Sequence, residues 1–509
     1  MSTGNTDGPR PAPEPSGLPP DEAGRLKVIV FDDDPTGSQA LHGCPLLLRW
    51  DAASLSAGLR HPSPFLFLLT NTRALDPAAA RERIREVCAA LRPALMAAVD
   101  EGSIGAWLPV SRGDSTLRGH FPLEIEEIAA ALGPFDATLL APAFLEGGRT
   151  TLEGVHRLEG RPVHETPFAR DRLFAYSTSF LPAWVAEKTA GRIPAERVAR
   201  LPIADLEQGA ESLAGRLAAL AAGEEEGDAR RHPPTWAAGT VVAVDATSPD
   251  QLASLGAVVR EGLRRPPRLL IQSAASLLKA LAPLPPQPRS AEELAGLRRR
   301  GPEGRSLPGL VLVGSHVPLA DAQLAALLAE PGCGLVEVPA TRLHRLLEGP
   351  LPDHLLASLE REWQERLEAQ LEAGRTAVLA TSRGELHCRH EAERRRLGLA
   401  MAGAMARVVG RLAPRLGYVI SKGGITSQTL LAEGLALAGV ELQGQLLAGV
   451  SLVLAASGSA LAGAGATGGL ATPGGVPGAL DLPVVTLPGN LGSADTLVRL
   501  WRLLEGASL

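Results

Sequence analysis

KVIVFDDDPTG (27–37) sets a short apolar run directly against three consecutive carboxylates and a Pro-Thr-Gly turn. A run of this length bounded by turn residues reads as a buried strand of a parallel sheet. Its polar tail then lies at the carboxyl end, where open α/β sheets bind ligands. The design recurs outward from there. PFLFLLT (64–70), GAWLPV (105–110), ATLLA (137–141), TVVAVDA (240–246) and RLLIQS (268–273) read as strands, with helices over 77–99 and 121–132. Asn71-Thr72-Arg73, Ser111-Arg112-Gly113-Asp114 and Asp245 sit at strand ends, so several strands aim chemistry at one edge. The second half resumes with strands in GLVLVGS (309–315), GLVEV (334–338), RTAVLAT (375–381), GYVIS (417–421), LLAGVSLVLA (446–455) and LPVVTL (482–487). Helices fit 318–330, 351–373, 389–412, 425–438 and 493–505. The expectation is an α/β chain of two α/β domains with mostly parallel sheets and a ligand cleft between them.

A length of 509 residues calls for more than one domain. Residues 1–24 are rich in Pro and Gly without an apolar core, and read as a disordered tail rather than a signal peptide. The first domain is placed at 25–281, a Pro- and Arg-rich linker at 282–308 and the second domain at 309–509. GEEEGDARRHPP (223–234) reads as an exposed loop. The stretch from Gln445 to Leu480 carries no charge, but its apolar part is about half the ~20 residues a membrane span needs. It reads as a buried strand followed by an Ala/Gly-rich loop at 456–480. A net charge of −6 gives no electrostatic case for nucleic acid or an anionic membrane surface. Cys44, Cys88, Cys333 and Cys388 are widely spaced, which fits a reducing, cytoplasmic setting. A homodimer is compatible with this reading.

Three strand-to-helix junctions of the second half share a pattern: Gly314-Ser315, Gly423-Gly424 leading into Ile425-Thr426-Ser427, and Gly489-Asn490-Leu491-Gly492. Glycine lets a backbone approach a ligand closely, and free N–H groups at a helix start attract phosphate. Lys422, directly before the Gly pair, is one of four lysines against 46 arginines. Its ammonium suits β- or γ-phosphate oxygens. No Walker A loop is present. In the first half Asp32, Asp33 and Asp34 repel one another and need an offset. Arg73, Arg112 and Arg118 supply one, beside Asp114, Ser115 and Thr116. Guanidinium groups bind carboxylates and carboxylates accept from hydroxyls, so the set suits a small hydroxy acid. His120, His156 and His164 lack metal-ligand spacing.

In this order the motifs resemble the four-carbon acid sugar kinase family. The matching pieces are Asp33, Asp34, Thr36 and Gly37, then Thr72-Arg73, SRGDSTLRGH (111–120), PAFLEGGRTTLEGVH (142–156), VVAVDATS (241–248), GSHVPLADAQ (314–323), SKGGITS (421–427), GQLLAGV (444–450) and PGNLG (488–492). QSAAS (272–276) departs from a more Gly-rich turn, and 456–480 is longer than usual. The resemblance implies a sugar-acid-binding N-terminal domain and a nucleotide-binding C-terminal domain. It implies transfer of the ATP γ-phosphate, with Mg2+ carried by ATP and no dedicated protein metal site, to a terminal hydroxyl of an acid such as erythronate or threonate. Asp33, Asp34, Arg73, Arg112, Gly113, Asp114, Ser115, Thr116 and Arg118 would then meet the acid. Gly314, Ser315, Lys422 to Ser427, Gly489, Asn490 and Gly492 would meet ATP. Asp34, or else Asp114, would take the hydroxyl proton, and Lys422 would offset charge on the transferred group.

Two other readings stay open on the sequence. Asp32-x-Asp34-x-Thr36 satisfies the first motif of haloacid-dehalogenase-type phosphatases, with Asp32 as nucleophile, although no suitably placed lysine or later paired-Asp strand end follows. A non-catalytic sugar-acid-binding protein would use the same polar set.

Overall fold

The computed structural model describes residues 26–34, 41–223, 238–282, 284–347, 352–383, 391–455, 476 and 479–506. The tail 1–24, Thr36, Gly37, Cys388, most of the 223–234 loop and most of 456–480 lie outside the described residues.

In the first half, β1 (Leu26–Asp32), β2 (Cys44–Leu47), β3 (Phe65–Leu69), β4 (Ala106–Arg112) and β5 (Ala137–Ala141) are followed by β6 (Arg149–Leu152), β7 (Val155–Leu158) and β8 (Arg161–Pro162), which form a small separate sheet. Then come β9 (Ala199–Leu201), β10 (Thr240–Val244) and β11 (Leu269–Ser273). The second half holds β12 (Gly309–Val313), β13 (Cys333–Val338), β14 (Thr376–Thr381), β15 (Tyr418–Lys422), β16 (Gly439–Leu447), β17 (Val450–Ala455) and β18 (Val484–Leu487). Fifteen of these strands make one sheet, ordered β13-β14-β12-β15-β18-β17-β16-β2-β3-β1-β4-β11-β5-β10-β9. Every residue of β1, β3, β5, β12, β14 and β15 is buried. Helices cover both faces, which is why these strands read as unbroken apolar runs and not as alternating ones.

The two halves are thus joined edge to edge. β16 pairs antiparallel with β2, Val440 opposite Leu46 and Leu442 opposite Cys44. One buried apolar layer, containing Leu46 and Val440 at the joint, runs beneath both halves. Along the order from β15 to β1 three successive pairings are antiparallel, so the parallel strands of the halves run in opposite senses. Sheet twist offsets this. The six steps from β15 to β1, at roughly 20–25° each, turn the sheet by roughly 120–150°. Residues just past the carboxyl ends of the two sets come into contact at one place. Asn71, just past β3, and Gln428, just past β15, touch there: the Asn71 amide donates to Gln428 Oε1 at 2.6 Å.

Three stretches differ from the sequence expectation. LLAGVSLVLA is a hairpin, not one strand, because Gly449 at φ +74° reverses the chain between β16 and β17. The helix expected over 425–438 spans Gly424–Thr429 and continues as a π-turn, Leu430–Gly434, before β16 begins. Gly434 is packed so closely on the neighbouring helix that a Cβ there would lie 2.5 Å from the Ala406 carbonyl oxygen. The stretch read as a linker carries a short helix, Ala291–Ala295, capped by Ser290. Arg298 donates to the Leu307 and Leu504 carbonyls, and Arg299 to those of Ala413 and Leu416. That segment is fastened to the second half.

Candidate active site

Register builds the first cluster. Asp32 stands opposite Leu69 of β3 and Arg112 of β4, so the next residues of all three strands emerge side by side. Arg73 is the hub. Its guanidinium lies 3.2 Å from Asp33, 2.6 Å from Asp34 and 3.2 Å from Asp114. Arg112 stands 3.5 Å from both Asp32 and Asp33, and Arg118 2.7 Å from Asp114. Thr116 donates to Asp114 as well. Burial alone would raise the Asp114 carboxyl, but Arg73 and Arg118 outweigh it and hold the group well below the ordinary range. For Asp32 burial wins and pushes the carboxyl up to about 8, and Asp33 rises to about 7 for the same reason. Asp32 is 0% exposed and Asp33 2%, whereas the Asp34 side chain keeps a quarter of its surface open. Oδ2 of both Asp32 and Asp33 is buried without a hydrogen-bond partner among the described residues. Ser115 and Gly113 are held by their backbones: the Ser115 carbonyl faces His156 Nε2 at 2.8 Å, and the Gly113 N–H donates to the Ser273 carbonyl at 2.9 Å.

The three glycine junctions also meet through register. Val313 lies opposite Lys422, and Lys422 opposite Leu487. Gly314, Gly423 and Pro488 therefore leave the sheet together. The fit is close: a Cβ on Gly314 would lie 2.2 Å from Thr426 Oγ1, and one on Gly489 2.7 Å from Ser315 Oγ. Gly423, at φ +115°, precedes the helix Gly424–Thr429 and offers it no side-chain cap. Ile425 is exposed, while Thr426 and Ser427 are buried, Ser427 against Ser421 at 3.0 Å. Asn490 and Gly492 lie exposed on the turn after β18. Lys422, expected at phosphate oxygens, is instead wholly buried, and its ammonium donates to the Pro488 carbonyl at 2.7 Å. Burial lowers its pKa to about 8.

Sequence reading passed over several neighbours. Glu124 accepts from Thr72 and Ser111 beneath the acidic cluster. Arg149 is electrostatically coupled to Asp114 and Arg118, and its Nε is buried without a partner among the described residues. Arg383, past β14, donates to the Ser315 carbonyl at 2.6 Å and pairs with Asp321 at 2.9 Å, while its Nε and one terminal nitrogen are buried with no partner among the described residues. An arginine at the end of an apolar strand was the available signal for Arg383. Among 46 arginines it did not stand out. No group of three or more His, Cys, Asp or Glu among the described residues could hold a metal ion, and no helix there is long and apolar enough to cross a membrane.

The two clusters coincide with two matched families. A sugar-binding N-terminal domain matches residues 28–281 and a nucleotide-binding C-terminal domain matches residues 310–497. The chain belongs to the four-carbon acid sugar kinase family. Within the family, a D-threonate kinase from Bordetella bronchiseptica is 33% identical over 142 residues, 25% of this chain and 35% of that protein. A D-erythronate kinase from Heliobacterium modesticaldum is 27% identical over 235 residues, 43% of this chain and 50% of that protein. The chain thus spans half or less of the length of these curated relatives. Two solved structures share the fold of this family member. A protein described as a putative tRNA synthase from Salmonella typhimurium LT2 aligns with a TM-score of 0.59 at 16% identity, covering 94% of this chain and 98% of that one. A Haemophilus influenzae protein from a family of unknown function aligns at 0.57 and 15%, covering 94% and 100%.

Proposed function

We propose that the chain is an ATP-dependent kinase that phosphorylates a terminal hydroxyl of a small sugar acid of about four carbons, such as erythronate or threonate. The observation that carries this reading is the juxtaposition of the two clusters. A carboxylate–arginine set suited to a hydroxy acid is linked to three glycine junctions suited to phosphates by the contact of Asn71 with Gln428.

Arg112, Arg118 and Arg149 supply guanidinium donors for the acid's carboxylate. Asp114, kept ionised by Arg73 and Arg118, accepts from a substrate hydroxyl and is too weak a base to take its proton. That task falls to Asp34, the most open of the three adjacent carboxylates, oriented by Arg73. Asp33, Gly113, Ser115 and Thr116 complete the acid pocket. On the other side, Gly314, Ser315, Gly423 to Ser427, Gly489, Asn490 and Gly492 would hold the nucleotide. Side chains at Gly314 and Gly489 would collide with Thr426 and Ser315 of the same junctions. Bound ATP with Mg2+ supplies the phosphoryl group and offsets its charge. Lys422 acts through the Pro488 turn it holds, and Arg383 stands beside Ser315 with two nitrogens that have no partner among the described residues. The phosphatase alternative loses support because Asp32, its nucleophile, is sealed from solvent and raised toward neutrality by burial.

An ADP-release assay across a panel of aldonic acids with MgATP tests the proposal. Acid-dependent ADP release is expected. Asp34→Asn should lower turnover by roughly 10²–10⁴-fold, the range of a lost general base, while calorimetry still detects the acid. Acid binding without any ADP release would favour the non-catalytic reading, and near-normal turnover of Asp34→Asn would reject Asp34 as the base.

A further inference from the structure

Asn71 sits where the two clusters come within side-chain reach, and its geometry ties it to both. It adopts left-handed backbone, φ 50° and ψ 32°, a conformation that Asn tolerates better than most residues. The turn is pinned to the acidic strand end: the Asn71 N–H donates to the Asp32 carbonyl at 3.2 Å and the Arg73 N–H to that of Asp33 at 3.3 Å. Wherever the Asp33–Asp34–Arg73 constellation goes, the Asn71 amide follows. That amide is 7% exposed and donates to Gln428 at 2.6 Å, across 357 residues of sequence. Gln428 is equally tied to the other side. It lies one turn into the helix Gly424–Thr429, whose uncapped start follows Gly423. The helix begins with the Gly423 carbonyl accepting from the Ser427 N–H at 2.9 Å, and the Ser427 hydroxyl is bonded to Ser421 of β15. A shift of the glycine junction carries Gln428 with it.

Elsewhere the halves are joined by the β2–β16 ladder, continued by backbone bonds such as Gly43 N–H to the Leu442 carbonyl and Leu48 N–H to that of Ala438. A two-strand ladder can flex about its own line. The Asn71–Gln428 bond lies apart from that ladder and ties the turn after β3 directly to the helix after β15.

We propose that Asn71 and Gln428 form a latch that couples the pockets, so that sugar acid and nucleotide each tighten binding of the other. The inference rests on the kinase reading and deepens it. The latch residues are positioning residues, because they act through Arg73 on one side and the Gly423–Gly424 junction on the other. Thermodynamic linkage requires the coupling to be reciprocal. Its size is bounded by one net neutral hydrogen bond, a factor of roughly 2–10 in affinity.

A double-mutant cycle tests this with Asn71→Gly, which keeps left-handed backbone accessible, and Gln428→Ala, which keeps a good helix former. Calorimetry measures the Kd of D-erythronate and of D-threonate with and without a non-hydrolysable ATP analogue and Mg2+. In the unaltered chain the analogue should tighten acid binding by roughly 2–10-fold. In each single variant and in the double variant the ratio should fall to about 1, with the nucleotide-free acid Kd nearly unchanged. Three results overturn the latch: no coupling in a chain that binds both ligands, coupling that survives in the variants, or acid binding weakened equally with and without nucleotide, which marks a purely structural role. A chain that binds neither ligand defeats the kinase reading itself, and the latch with it.

Discussion

On the proposed reading, the acid pocket and the glycine junctions face the same problem, holding an anion at the end of a parallel strand, with opposite materials. The first uses side-chain charge, with Arg73 ringed by Asp33, Asp34 and Asp114. The second uses backbone, where Gly314, Gly423 and Gly489 leave room that Thr426 and Ser315 fill. Charge concentrated in buried pairs is costly to break, because a lost partner strands another ion out of water. Backbone donors cannot be mutated away and fail only when a side chain fills their space.

The largest effect follows from removing the hub. Arg73→Ala leaves three carboxylates without their shared cation and should cost about 3–5 kcal/mol in stability, the range for breaking a buried ion pair. Denaturant melts, together with loss of measurable acid binding, check it. A variant melting like the parent would show that the pairs carry little. The second sharpens the contrast. Gly423→Ala forces a residue with a Cβ to φ +115°, at about 1–2 kcal/mol, and should weaken nucleotide binding roughly tenfold while acid binding in the absence of nucleotide stays put. Equal loss of both ligands would erase the distinction between the regions.

The third is a pH slope of opposite sign at the buried carboxyls and at the buried lysines. Burial raises Asp32 to about 8 and Asp33 to about 7, against about 3.9 in the unfolded chain. Between about pH 4 and 8 the folded state therefore keeps protons that the unfolded state has released. Stability present below pH 4 is lost as pH rises, by at most about 1.4 kcal/mol per pH unit for each carboxyl. Burial lowers Lys422 to about 8, against about 10.4 unfolded, so over that upper window the unfolded state holds more protons and stability rises with pH. Asp32→Asn should reduce the lower slope, which Asp33 shares, and Lys422→Met the upper one, which Lys27, also lowered to about 8 by burial, shares, each leaving the other intact. Parallel slopes in both variants would contradict the buried-charge account.

Much of this arrangement is legible in the sequence. KVIVF, ATLLA and GYVIS announce themselves because strands buried on both faces must be apolar throughout, and their polar tails mark the ligand edge. Asp33, Asp34, Arg73, Arg112 and Asp114 could be grouped because register needs only that neighbouring strands end level. The joint between the halves could not. CPLL is four residues long and holds a proline, and its partner β16 alternates buried and half-buried positions that a helix pattern partly mimics. Lys422 was placed near the phosphates by its position, yet whether an ammonium faces a ligand or a carbonyl depends on the fold of the Pro488 turn, which spacing does not encode. The Asn71–Gln428 bond is a matter of sheet twist accumulated over six strands, a global quantity invisible to any local motif.

The edge-to-edge union of β2 with β16 also has a bearing on how the polypeptide could be divided. Severing it between residues 281 and 309 would not release two self-sufficient lobes. Each would bare a row of unsatisfied amides and carbonyls above a greasy underside, an open zipper ready to close on any extended peptide, including a sister copy. Each half therefore serves as the other's guard against misassociation, quite apart from any chemistry they perform together.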